Sequence, residues 1–183
     1  MPFMRRVGWI AAAVLAVVVS ACGPAKVATP VAPGAPRFPD FMQPTAPGPL
    51  ASDPLTRRTD LAWRYLQAGD LRSADREVNL LLKERPTFFP AQTVSAYLAL
   101  AHKDGAAAAT QFGRIVDAHP DYVPALVGQG LSLVATEQNQ EAVEAFRAAL
   151  KVDPSLTDIA RRVDVLTLRG LQEELAAARQ AAK

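Results

Sequence analysis

The stretch PTFFPAQTVSAYLALAHKDGAAAATQFGRIVDAHP, residues 86–120, opens and closes on proline, and the step between those prolines decides the fold. The same step of 34 residues carries Pro120 to Pro154 and Pro90 to Pro124. Working outward, further columns fall on it: Ala74, Ala108 and Ala142; Val78, Phe112 and Phe146; Ala62, Ala96 and Gly130; Leu82, Val116 and Leu150. So many independent columns on one period mark an internal repeat.

Each unit reads as two antiparallel helices. Pro90 and Pro124 stand where a helix can begin, because a first-turn amide needs no partner. Asp70 and Asp104 share a column just ahead of the second helix, as N-caps. Gly69-Asp70 and Asp104-Gly105 mark the turn inside a unit. Small Ala74, Ala108 and Ala142 allow close helix approach, and Val78, Phe112 and Phe146, four residues on, share that face and fill the interior. The pattern predicts an all-α chain over 55–156 with turns near 69, 86–89, 104, 120–123 and 137.

These columns resemble the tetratricopeptide repeat, a 34-residue helix-turn-helix unit with a small residue in its first helix, Ala and then an aromatic in its second, and a terminal Pro. The resemblance implies an all-α solenoid of about three repeats at 55–88, 89–122 and 123–156. The family's first-helix Trp is replaced by Arg58, Gln92 and Leu126, and its Tyr survives only as Tyr65. The remaining segment, 157–183, continues the helical pattern through Ile159, Val163, Leu166, Leu171 and Leu175. It is expected to cap the array, with Gly170 as a place to kink or divide it. A coiled-coil or partner-binding role for its end is the alternative.

The chain opens MPFMRRVGWIAAAVLAVVVSAC, with two arginines, an apolar run and two small residues ahead of its single cysteine. That order reads as a secretory leader, residues 1–21. Val19-Ser20-Ala21-Cys22 resembles the bacterial lipobox. The resemblance implies diacylglycerol on the Cys22 thiol, cleavage before it and often acylation, such as palmitate, of the new amine. It makes the protein a membrane-anchored lipoprotein, outer-membrane and periplasmic if the source is Gram-negative, since Gly23 is not the Asp typical of inner-membrane retention. Without the leader's Arg5 and Arg6 the formal charge of +2 falls to zero, so no basic excess steers the chain towards nucleic acid.

Residues 22–54 hold nine of the chain's fifteen prolines and predict a solvated, polyproline-rich linker behind the lipidated cysteine. Phe38, Phe41 and Met42 are its apolar exceptions. They are taken as loose linker residues, with a docking element that folds back as the alternative.

Little in the sequence points to chemistry. His102 and His119 have no neighbouring histidine or cysteine at metal spacing, and no paired carboxylates, phosphate loop or nucleophile elbow appear. Neither an enzyme nor a cofactor nor a metal site is expected. Function then rests on surfaces. By the family's geometry the concave face carries Thr59 and Thr93, then Trp63, Tyr97 and Leu131, then Leu66 and Leu100. The charged residues of a carboxylate clamp are absent. The expectation is a groove that binds an unknown protein partner through Trp63 and Tyr97. The alternative is that these rings pack against the proline-rich stalk or a neighbouring helix. The implied function is an interaction scaffold, an assembly or accessory lipoprotein of a cell-envelope complex. The competing reading is a structural envelope lipoprotein that self-associates without a dedicated client.

Overall fold

Seven α-helices and no strand make up residues 34–182, the part of the chain that the computed structural model describes. The helices are α1 (Pro54–Gln67), α2 (Leu71–Glu84), α3 (Phe89–Ala101), α4 (Gly105–Ala118), α5 (Val123–Ala135), α6 (Asn139–Val152) and α7 (Thr157–Ala181). The second helices of the three units start at Leu71, Gly105 and Asn139, on the 34-residue step. The all-α solenoid and its turns stand as the repeat requires. The leader, Cys22 and the start of the linker lie outside the described residues.

The turn inside each unit repeats one hydrogen-bond pattern. Gly69, Lys103 and Glu137 occupy one column and take φ of 78°, 66° and 63°. The next amide in each unit, on Asp70, Asp104 and Gln138, donates back to the carbonyl of Tyr65, Ala99 and Leu133 at 2.9 Å. This closes the first helix with the left-handed residue that commonly ends helices. Asp70 and Asp104 then cap α2 and α4, accepting from the amides of Ser73 at 3.1 Å and Ala107 at 3.0 Å. Gln138 makes no such bond, so α6 starts without a side-chain cap.

The predicted interior columns are buried. Ala74, Ala108 and Ala142 are fully enclosed, as are Phe112 and Phe146, with Val78 nearly so. The two phenyl rings both enter α5. A Cβ built on Gly128 would lie 2.2 Å from Phe112 Cζ, and one on Gly130 would lie 2.4 Å from Phe146 Cε1. Only a residue without a side chain admits the rings at those two points.

Two expectations are corrected. The first concerns the linker. From Arg37 to Asp53 the chain packs on the repeats: Pro44 and Ala46 are buried, and Phe38, Phe41, Met42 and Leu50 pack against the main core. The proline content excludes a helix here without excluding burial, because apolar side chains and a few hydrogen bonds hold an extended segment equally well. Asp53 ends this segment as the cap of α1, accepting from Leu55 N–H at 2.9 Å and pairing with Arg85. The second concerns the C-terminal segment. α7 runs unbroken through Gly170, and only its first half caps the array: Ile159, Val163 and Leu166 are buried, whereas every residue from Leu171 to Ala182 is exposed.

Candidate interaction surface

The face expected to be concave, formed by the first helix of each unit, is crossed by the segment Arg37–Met42, here called the strap. Pro36 and Pro39 hold the backbone extended around Phe38. Arg37 N–H donates to the Gln67 carbonyl at 2.7 Å. The Gln67 side-chain amide then grips the next residue in both directions. Its Oε1 accepts from Phe38 N–H at 3.2 Å and its Nε2 donates to Phe38 C=O at 3.1 Å. A tight turn follows, closed by Phe41 N–H donating to Phe38 C=O at 3.1 Å.

That turn places the two phenyl rings on one side, stacked at 4.9 Å and 8°. Phe41 in turn meets Tyr97 at 4.8 Å. Tyr97 takes Trp63 on its edge at 5.5 Å and Phe112 at 4.9 Å. A continuous series of rings therefore leads from the strap, through α3 and α1, to the interior of α4. At the tip of the turn Asp40 pairs with Arg162 of α7 at 3.0 Å. Met42 packs against the cluster that holds Leu126, Val127, Phe146 and Ile159. The strap is thus fixed to the beginning, middle and end of the array.

The Tyr97 hydroxyl links both sides of this contact. It accepts from Met42 N–H at 3.3 Å and donates to the Pro124 carbonyl at 2.8 Å. Burial drives the phenol well above its ordinary titration range, so it stays neutral and keeps its donor at any physiological pH. The carbonyl of Pro124 lies in the first turn of α5, so the same oxygen joins strap, α3 and α5.

The residues expected to form an open groove are placed as follows. Trp63 and Tyr97 do face the strap, but they are 6 % and 0 % exposed. Thr59 and Thr93 are buried and return their hydroxyls to the carbonyls of Leu55 at 2.9 Å and Phe89 at 2.8 Å. Leu66 is fully enclosed, and only Leu100 and Leu131 remain half-buried. The expectation of a vacant groove around Trp63 and Tyr97 is therefore corrected: a segment of the same chain fills it. The physical reason is that these rings present a large apolar area, and Phe38 and Phe41 of the upstream segment have the reach to cover it.

The sequence carried a signal for this contact. Phe38, Phe41 and Met42 stand out as a cluster of large apolar residues in a stretch rich in proline and small residues. By the repeat's geometry Gln67 follows Leu66 at an inward position, though nothing in the sequence pairs it with Phe38. His102 contacts Asp75 at 2.9 Å on the surface, and His119 lies 4.0 Å from the Phe89 ring. Among the described residues no cluster of His, Cys, Asp or Glu is arranged to hold a metal ion. No described helix is long and apolar enough to cross a membrane.

The chain matches no protein-family model and no curated protein.

Proposed function

We propose that the chain is a membrane-anchored, extracytoplasmic protein–protein interaction scaffold of tetratricopeptide-like repeats, an assembly or accessory lipoprotein of a cell-envelope complex. The anchor is lipid on Cys22, and Gly23, where the Asp typical of inner-membrane retention is absent, favours the periplasmic side of the outer membrane in a cell with two membranes. The order of basic, apolar and small residues ahead of that cysteine supports the anchor. The scaffold role is supported by one observation above the others: the strap ties the chain to the array by bonds at Gln67, Tyr97 and Arg162. A segment that only needed to dangle a domain from a lipid would need no such attachment. Fastening to α1, α3 and α7 holds the array against that segment, as a scaffold requires.

The experiment uses full-length protein recovered from detergent-solubilised membranes. Mass spectrometry of the mature N-terminus should show acylated Cys22, and Cys22→Ala should remain unlipidated. Affinity capture should return a heterologous envelope protein in stoichiometric amount. An unmodified N-terminus at another residue would remove the anchor from this reading. Capture that returns only more of the same chain would remove the client.

A further inference from the structure

We infer that the distal half of α7 is a dimerisation element that pairs in parallel with the same segment of a second copy. Leu168, Leu171 and Leu175 are 60 %, 56 % and 52 % exposed, three leucines bare on one helix. The inner helices before it are each covered by a second helix of their own unit, α1 by α2, α3 by α4 and α5 by α6. α7 stands at the corresponding place one step further on, and among the described residues no helix follows it.

The spacing of the bare positions names the kind of cover. Leu168, Leu171, Leu175, Ala178 and Ala182 alternate by three and four residues, the seam of a two-stranded coiled coil. At 3.6 residues per turn this seam lies roughly 130° around the helix from Ile159, Val163 and Leu166, which pack on the array. A partner helix laid along it lies off the face that packs on the array, beside the open cleft that Leu171 and Glu174 share with α6.

Charge selects the occupant and its direction. Glu174 borders the seam on one side and Arg179, five residues on, borders it on the other. Neither forms an ion pair among the described residues. In a parallel pair, each Glu174 comes opposite Arg179 of the second copy, and symmetry makes that contact twice. An antiparallel pair brings like flanks together and forms neither. A second copy in parallel thus satisfies the leucines and both charges at once.

The test is light scattering and sedimentation of the full chain in detergent, over a concentration series. The expected particle contains two chains. Replacing Leu171 and Leu175 together by Glu should give monomer of unchanged helicity, with dimer affinity down by roughly 100-fold or more. Either Glu174→Arg or Arg179→Glu alone should weaken the dimer about tenfold, and the two combined should restore it. A chain that is monomeric throughout overturns the inference, as does a dimer that survives the double Leu substitution. Failure of the combined charge reversal to restore pairing overturns the parallel direction. A cross-linker placed at Leu168 that captures a different protein instead of a second copy also overturns it.

Discussion

Phe38, Phe41 and Met42 sit in the least regular part of the described chain and are packed against its core, while Leu168, Leu171 and Leu175 sit in its longest helix and stand in solvent. Regularity and burial are thus inverted between the two ends. The strap is covered because the concave face offers it two aromatic rings and three polar groups placed for its backbone. The distal half of α7 is bare because a helix satisfies its own backbone and holds its shape without a neighbour. Secondary structure shows where hydrogen bonds are met locally. It does not show which side chains have found cover.

The most direct way to break the comparison is Tyr97→Ala. It removes the ring that touches Phe41, Trp63 and Phe112 together with the hydroxyl that joins Met42 to Pro124. The expected loss is roughly 3–5 kcal/mol, read as a large fall in melting temperature. Unchanged melting would mean that the ring borders an open groove after all. Phe41→Ala should cost less, about 2 kcal/mol, since the ring is only half-buried. It should also expose residues 37–42 to protease while α1–α6 stay resistant; equal protection in both proteins would count against the strap as a bound segment.

Gln67→Ala sharpens the same side. It deletes both side-chain bonds to Phe38, with an expected cost of about 1 kcal/mol and faster hydrogen exchange at the Phe38 amide. At the other end, Leu175→Ala should change monomer stability by less than about 0.5 kcal/mol, because it removes no internal contact. A drop as large as that of Phe41→Ala would show that Leu175 is covered within its own chain.

Acid should produce the smallest effect, acting chiefly at the helix junctions. Asp53, Asp70 and Asp153 are each held below the ordinary aspartate value of 3.8, chiefly by hydrogen bonds from the side chains of Arg85, Ser73 and Ser155 respectively. A lowered carboxylate contributes stability that is complete above the ordinary value and is lost as pH falls through the folded one. Melting temperature should therefore be flat above about pH 5 and decline below pH 4. In Asp53→Asn the decline should be shallower, and an identical slope would discount the Arg85 pairing.

Much of the fold was legible because a repeat states its own pattern several times. Pro86, Pro120 and Pro154 locate the unit boundaries, and Ala74, Ala108 and Ala142 locate the helix contacts, without any long-range information. The strap's rings stand out in the sequence, but the groups they meet could not be located from it, because the segment occurs once. Nothing in RFPDFM identifies Gln67 or Tyr97, which lie 29 and 55 residues beyond the atoms they bind. Thr59, Trp63, Leu66, Thr93 and Tyr97 are buried, but a position that faces inward does not say whether the face is vacant. The extent of the cap was missed for a related reason: helical periodicity persists in α7 past the point where there is anything left to pack against.

The two glycines of α5 have a consequence for how the array comes apart. Two glycines inside one helix each cost it about 0.5–1 kcal/mol of intrinsic stability, so α5 alone is a poor helix. The rings that occupy the missing Cβ positions come from α4 on one side and α6 on the other. Helical-repeat arrays can unzip from an end, one unit at a time, when each unit is stable by itself. Here the middle helix is weak alone and strong only when flanked, so loss of α6 removes support from α5, and loss of α5 uncovers Phe112 in α4. Melting should accordingly proceed as one concerted transition, with no intermediate in which the first two units persist after the third has gone.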